Sequence, residues 1–286
     1  MFMKAFASLL LILLIRLSSL YGQDLDSYHS LTVTGQTLSI RGHKIEINAD
    51  GFLKQVGGDG YLSDSIAKLH QILYEPIHFH YYTDAKKQFK FIPAEFRFLT
   101  IGKDAVTWQA QSTADGLKQD VFGKAYANGV IRFKVYVSGA ELKFQNINFH
   151  IPFNIGSSNY FSGLGQKGNT RPDTVTWNSS SRLKIKPAFW VGNEWQGLYL
   201  RLDDQPVVND HHFKNGWLNE KNEGFQINVK GGSMLSDFTT GSIALTSGQE
   251  LTFHYTIIIS EHGNLKMPVN ARQKFKRLLY LDLNTK

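Results

Sequence analysis

Apolar and polar residues alternate with a period of two along most of this 286-residue chain. The segments 131–137, 147–153 and 251–259 each place an apolar side chain at every second position. Because successive side chains of a strand point to opposite faces, each segment predicts a strand with one apolar face. Turn dipeptides such as Asp115-Gly116 and Asn128-Gly129 separate the segments, as they do in hairpins. The sequence therefore predicts an all-β fold, a large antiparallel β-sandwich of two packed sheets.

The last part of the chain has a different period. Ala271, Phe275 and Leu278 follow the spacing of one face of a helix, which predicts a short C-terminal helix. The densest basic stretch of the chain falls in the same segment, at Arg272, Lys274, Lys276 and Arg277. The remaining excess of the formal charge of +7 is spread thinly, whereas nucleic-acid binding needs cations gathered on one face. We therefore expect no nucleic-acid partner.

The first 22 residues have the pattern of a secretory signal peptide. Lys4 precedes an apolar run, 5–15, that ends at Arg16 and is too short to span a bilayer. The alternative is an uncleaved membrane anchor. We expect cleavage after Gly22, export to the periplasm or the extracellular space, and no membrane association of the mature protein. No linker or repeat divides residues 23–286, which we interpret as a single β-sandwich domain without cysteine.

One central region has a recognisable order of residues. A glycine-rich stretch at 163–172 (GLGQKGNTRP) is followed by Trp177 and then by 190–194 (WVGNE). This order resembles the N-terminal β-sandwich region of glycoside hydrolase family 123, the β-N-acetylgalactosaminidase-like proteins and their uncharacterised relatives. Asn169 stands where that pattern has a second glycine. The resemblance implies a sandwich fold and a role in glycan processing.

In that family the sandwich precedes a barrel that carries an adjacent Asp-Glu pair, with the glutamate as general acid. This chain contains no Asp-Glu dipeptide and stops before a barrel could begin, so no catalytic residue is carried over. We expect an exported, non-catalytic module that binds carbohydrate or docks to a separate hydrolase barrel. Two alternatives remain open: a stand-alone glycan-active enzyme with unrecognised carboxylates, and a truncated remnant of a glycoside hydrolase.

A candidate site for a glycan or a partner domain lies in the same region. Tryptophan rings stack on sugars, and neighbouring polar side chains can bind hydroxyl groups. We expect Trp190 to be buried and the loop face, defined as 163–172 with 193–195, to make the contact. The candidate residues for carbohydrate binding or docking are Arg171, Trp177, Asn193, Glu194, Trp195 and Trp217.

The sequence predicts no cofactor and no metal. Gly163-x-Gly165-x-x-Gly168 has the spacing of a dinucleotide-binding loop, but Pro172 disfavours the helix that such a loop must open. His78 and His80 share one face of a strand. A metal site needs three or four converging ligands, and the sequence offers only pairs of histidines.

Overall fold

The structure is a computed structural model, and it describes residues 31–58, 71–83, 87–178, 187–194, 196–203, 212–217, 224–230, 233–260 and 270–285. The predicted signal peptide, residues 1–22, and Trp195 lie outside the described residues. Within these ranges the strands, numbered in chain order, form three sheets.

The four-stranded sheet has the order β1-β2-β3-β4, with β1 (Leu31–Thr34), β2 (Thr37–Ile40), β3 (His43–Ile47) and β4 (Leu53–Gly58). The seven-stranded sheet contains β5 (His78–Thr83), β6 (Gln88–Phe89), β11 (Leu142–Asn154), β14 (Thr174–Asn178), β18 (Gly224–Lys230), β19 (Ser233–Thr239) and β20 (Ile243–Leu245). Its order is β14-β18-β19-β11-β5-β6, and β20 also pairs with β11.

The ten-stranded sheet contains β7 (Ile92–Ile101), β8 (Ala105–Ala114), β9 (Leu117–Tyr126), β10 (Val130–Gly139), β12 (Tyr160–Gly163), β13 (Gln166–Thr170), β15 (Ala188–Gly192), β16 (Gly197–Leu202), β17 (Phe213–Asn215) and β21 (Glu250–Ser260). Its order is β13-β12-β15-β16-β21-β10-β9-β8-β7. The short strand β17 pairs with β21 in parallel, and every other pairing among the described strands is antiparallel.

The alternation read from the sequence corresponds to real strands. Strand β10 lies between β9 and β21. Its side chains Val135 and Val137 are buried, whereas Lys134 is exposed. The β9–β10 hairpin turns at Asn128-Gly129, where Gly129 has a φ of 87° and Asn128 accepts a hydrogen bond from the Val130 N–H. Glycine suits this left-handed conformation because it has no Cβ. The predicted all-β antiparallel class is confirmed.

The two larger sheets pack face to face through aromatic side chains. Phe149 of β11 lies 4.5 Å from Tyr255 of β21, measured between ring centroids, and Phe79 of β5 lies 5.1 Å from Phe253. These rings belong to one continuous apolar core that includes buried residues of all three sheets. The core therefore joins the sheets into a sandwich, as the sequence indicated.

The four-stranded sheet is an addition to the predicted pair of sheets. Its strands are four to six residues long, and they bury Leu38, Ile45 and Val56 in the common core. Trp108 of β8 donates a hydrogen bond from Nε1 to the carbonyl oxygen of Gly51, at 2.9 Å. Runs this short give only one or two apolar alternations each, so the pattern did not separate them from loops.

The predicted C-terminal helix is present as α1 (Ala271–Asn284). Asn270 caps it by accepting a hydrogen bond from the Gln273 N–H. Leu278 packs in a second apolar cluster with Trp190 of the ten-stranded sheet, and the buried carboxylate of Asp282 accepts hydrogen bonds from Arg201. The helix is thus fixed to the outer face of the large sheet. No described helix combines the length and the apolar character needed to cross a membrane.

Candidate functional site

Three of the predicted site residues make hydrogen bonds within the protein. Arg171 donates from Nε to the carbonyl oxygen of Ser158 at 2.7 Å, and Asn193, which is buried, accepts from the Gln196 N–H at 3.0 Å. Glu194 accepts a hydrogen bond from the Tyr160 hydroxyl at 2.8 Å. These polar groups hold neighbouring parts of the chain together, as a structural role requires.

The predicted tryptophans that the structure describes are buried. Trp177 is 7% exposed and Trp217 is 3% exposed, and the Trp217 indole donates to the carbonyl oxygen of His254 at 2.8 Å. Their ring faces pack inside the protein, so neither ring offers an open face for a sugar in this conformation. Trp190 is fully buried, as expected. Trp195 lies outside the described residues.

Gly192 of the recognisable motif and the nearby Gly197 make room for Trp190. A Cβ added at Gly192 would lie 2.6 Å from Cζ2 of Trp190, and one at Gly197 would lie 2.7 Å from the same atom. Real Cβ atoms do not approach a ring so closely, so both positions need glycine. This part of the motif therefore builds the fold around one tryptophan.

A second polar region lies on three adjacent strands. In the ladder between β5 and β11, His78 stands opposite His150, and in the ladder between β11 and β19, His150 stands opposite Asp237. His80 lies two residues beyond His78 and therefore on the same face of β5. The ring centroids of His78, His80 and His150 are 4.4–5.3 Å apart, and we call these three residues the histidine cluster.

Each imidazole of the cluster has a polar neighbour at Nδ1. Nδ1 of His78 lies 2.7 Å from the carbonyl oxygen of Pro76, and Nδ1 of His150 lies 2.6 Å from a carboxylate oxygen of Asp237. Nδ1 of His80 contacts the side-chain amide of Gln88. A carbonyl oxygen and a carboxylate oxygen can only accept hydrogen bonds, so Nδ1 of His78 and Nδ1 of His150 each carry a proton.

The cluster contains histidines with opposite pKa shifts. Burial, together with the nearby His78 and His150, lowers the pKa of His80 to about 4. Burial also acts to lower the pKa of His150, but the hydrogen bond and charge of Asp237 and the weaker effect of Glu75 raise it above its ordinary value. At neutral pH, therefore, His80 is uncharged, and His150 is the ring that the carboxylates favour as a cation.

A cleft of about 350 Å³ borders the histidine cluster. It combines aromatic rings with polar side chains. Burial raises the pKa of Asp50, one of its lining residues, despite hydrogen bonds from Phe52 and Asn48. We call it the β5–β6 cleft; besides His78 and His80 it is lined by Asp50, Phe52, Phe79, Gln88, Phe89, Lys90, Phe91 and Gln119.

The sequence predicted that His78 and His80 share a strand face, but it did not predict that His150 lies beside them. The alternation of 147–153 places His150 on a polar position of its strand. Which strand would lie beside it depends on the pairing of β11 with β5. The histidine cluster could not be predicted because the sequence does not show which strand pairs with β11 or in which register.

Chemically, the arrangement can bind a cation through imidazole nitrogens or exchange a proton with a group in the cleft. The described part of the chain also places Glu75 beside it, with Oε1 at 3.5 Å from Nε2 of His150. The β5–β6 cleft offers hydrogen-bonding groups and apolar rings to a small polar molecule.

Several solved structures are similar to this chain. Alpha-N-acetylgalactosaminidase NagBb from Bifidobacterium bifidum, solved as a GalNAc complex, superposes with a TM-score of 0.53 at 10% identity, over 87% of this chain and 39% of that one. Galactose 1-epimerase from Lactobacillus acidophilus NCFM gives 0.44 at 10% identity, over 80% and 94%. Heparan sulfate lyase HepC from Pedobacter heparinus gives 0.41 at 8% identity, over 80% and 34%. The first of these likenesses supports the fold alone.

Sequence comparison identifies the family. No curated protein matches the sequence significantly. Residues 31–260 match the family described as "Glycoside hydrolase 123, third domain", which confirms the resemblance read from the glycine- and tryptophan-containing motif. Because the match covers more than half of the chain, this protein belongs to the glycoside hydrolase 123 third-domain family.

Proposed function

We propose that this protein is an exported carbohydrate-binding module of a glycan-processing system and that the saccharide occupies the β5–β6 cleft. Membership of a glycoside hydrolase domain family supports a carbohydrate-related role. The observation that carries the proposal is the combination of aromatic rings and polar side chains around the 350 Å³ cleft. Sugars are bound by such combinations, since rings cover their C–H faces while polar groups bind their hydroxyls.

Two side chains at the cleft suit this role. Lys90 is exposed and can donate hydrogen bonds to hydroxyl groups. Phe91 is partly buried, packs against the core and has its ring centroid 5.0 Å from that of Tyr81. A ring held in this way presents a rigid surface, so little conformational entropy is lost when a ligand covers it. The loop face is a weaker candidate, because its polar groups already bind the protein's own backbone.

The test is binding of N-acetylgalactosamine and its oligosaccharides, measured by calorimetry and on a glycan array with the tag-free protein. We expect Lys90→Ala and Phe91→Leu each to weaken binding roughly three- to tenfold, as the loss of one hydrogen bond or one ring contact does. Lys103→Ala, an exposed lysine in the β7–β8 turn, is the matched control and should bind like the wild type. Absence of glycan binding by the wild type, or full binding by both cleft variants, contradicts the proposal.

The same preparation tests whether the protein acts on glycans by itself. We expect no hydrolysis of an aryl β-N-acetylgalactosaminide, because the sequence has no Asp-Glu pair of the kind that the family's barrel carries. Turnover that survives repurification and disappears in Glu75→Gln or Glu194→Gln would identify an enzyme instead.

A further inference from the structure

The spacing of the histidine cluster suits one metal ion. One ring nitrogen from each of His78, His80 and His150 lies within 4.8 Å of the other two. Four-coordinate zinc, with bonds of about 2.0–2.1 Å to nitrogen, holds its ligand atoms about 3.3 Å apart. The two Nε2 atoms of His78 and His80 are 2.9 Å apart, and Nε2 of His150 is 3.5 Å from Oε1 of Glu75. One distance is slightly shorter and the other slightly longer than the separation of two ligand atoms on one zinc ion.

The outer nitrogens are held as they are in metal-binding histidines. Such residues usually donate the N–H that does not face the metal to a carboxylate or a backbone carbonyl. Here Pro76 accepts from Nδ1 of His78, and Asp237 accepts from Nδ1 of His150. In the amide orientation that turns its oxygen toward the ring, Gln88 serves Nδ1 of His80 in the same way. Each ring then keeps the lone pair of Nε2 for a cation.

The contact between His78 and His80 also fits a cation. Their Nε2 atoms can share a hydrogen bond only if one of them carries a proton. When the Gln88 amide donates to Nδ1 of His80, the proton of this neutral ring is on Nε2 and is shared with His78. A metal ion takes its place when the proton moves to Nδ1 of His80 and the Gln88 amide turns its oxygen to accept it.

We propose that His78, His80 and His150 bind one divalent transition-metal ion, with Glu75 as the fourth ligand and Asp237 as a positioning residue. Zinc fits best, since imidazole nitrogens with one carboxylate oxygen are typical zinc ligands, whereas calcium and magnesium prefer oxygen alone. Because β5 and β11 are paired in one sheet, the three histidines stand in place before the ion arrives. The proposal does not depend on carbohydrate binding.

The experiment is zinc titration of the tag-free protein after treatment with a chelator, in the absence of any sugar. We expect one zinc ion per chain by calorimetry and a rise in the melting temperature, because an ion that binds only the folded state stabilises it. Cobalt(II) serves as the second probe, since it absorbs strongly in the visible range when it is four-coordinate.

Variants assign the ion to the cluster. We expect His78→Gln and His150→Gln each to weaken zinc binding by at least about 100-fold, since each loses one of three nitrogen ligands. Asp237→Asn should weaken it about 10–100-fold without changing the shape of the cobalt spectrum, and Asp237→Glu should recover part of the loss. His212→Gln is the matched control, because His212 is exposed and lies outside the cluster. The zinc affinity of this variant should equal that of the wild type.

Melting curves without zinc check that the glutamine variants fold. The proposal is overturned if the wild type binds no zinc at a ratio of one per chain, or if the double variant His78→Gln/His150→Gln is folded and binds zinc as the wild type does. A failure of zinc binding leaves the glycan titration of Lys90→Ala unaffected, so the two proposals fail separately.

Discussion

The loop face and the histidine cluster are both rich in polar side chains, but these side chains have different partners. Around the loop face, Arg171 and Asn193 bind backbone groups of their own surroundings. In the histidine cluster, His78 and His80 direct nitrogens at each other, and His150 is oriented by Asp237. Residues that give a family its sequence signature can thus be those that build its fold, while groups ready for a ligand arise where strands pair.

The largest expected effect tests whether the signature residues near the loop face build the fold. Trp190→Ala should lower the free energy of unfolding by about 3–5 kcal/mol, because it removes a fully buried side chain between two close-packed glycines. Denaturant unfolding measures the loss. Tyr74→Ala is the control, since this side chain is 60% exposed, and its effect should stay within about 0.5 kcal/mol. Equal effects of the two substitutions would mean that Trp190 does not anchor the fold.

A smaller effect is expected at Arg171. Arg171→Ala removes the donor to the Ser158 carbonyl, and we expect a loss of about 1–2 kcal/mol in the free energy of unfolding, as for a partly exposed hydrogen bond from a charged group. Glycan binding should stay at the wild-type level. If Arg171→Ala instead abolishes glycan binding without changing stability, the loop face is the ligand site and its polar groups do not mainly build the fold.

The smallest effect at pH 7 is expected in the histidine cluster, and it depends on pH. The pKa of His80 falls from 6.5 to about 4 on folding, so between these values the unfolded chain binds a proton that the folded chain does not. The stability of the zinc-free protein should therefore fall as the pH falls from about 6.5 to about 4, and His80→Gln should reduce that slope. The pH dependence has the opposite sign for His150, because its pKa is higher in the folded protein than in the unfolded chain. Its protonation stabilises the folded protein fully below the unfolded pKa, and this stabilisation is lost as the pH rises through the folded pKa. Denaturant unfolding at several pH values measures both, and an unchanged slope in His80→Gln would contradict the first.

Much of the fold could be predicted because alternation is a local property. Each of β10, β11 and β21 can be read from consecutive residues, as can α1 from the spacing of Ala271, Phe275 and Leu278. The four-stranded sheet could not be counted, since its strands are too short for the pattern to repeat.

The site was harder to predict because it depends on pairing between distant segments. A period of two puts His78 and His80 on one face, but only the ladder between β5 and β11 brings His150 against them. Burial posed a similar problem for Trp177 and Trp217, since the residues next to a tryptophan in the sequence do not show whether its ring lies in the core or at the surface.

The strand β7 at one end of the ten-stranded sheet differs from its interior strands. Its residues are exposed apart from the partly buried Phe96 and Phe98, and it is held chiefly by the ladder with β8. Local opening of β7 therefore uncovers little apolar surface, whereas opening of β10 would break two ladders and expose the core. Amide hydrogens should accordingly exchange with solvent much faster in β7 than in β10, and this sheet should come apart from its edge inward.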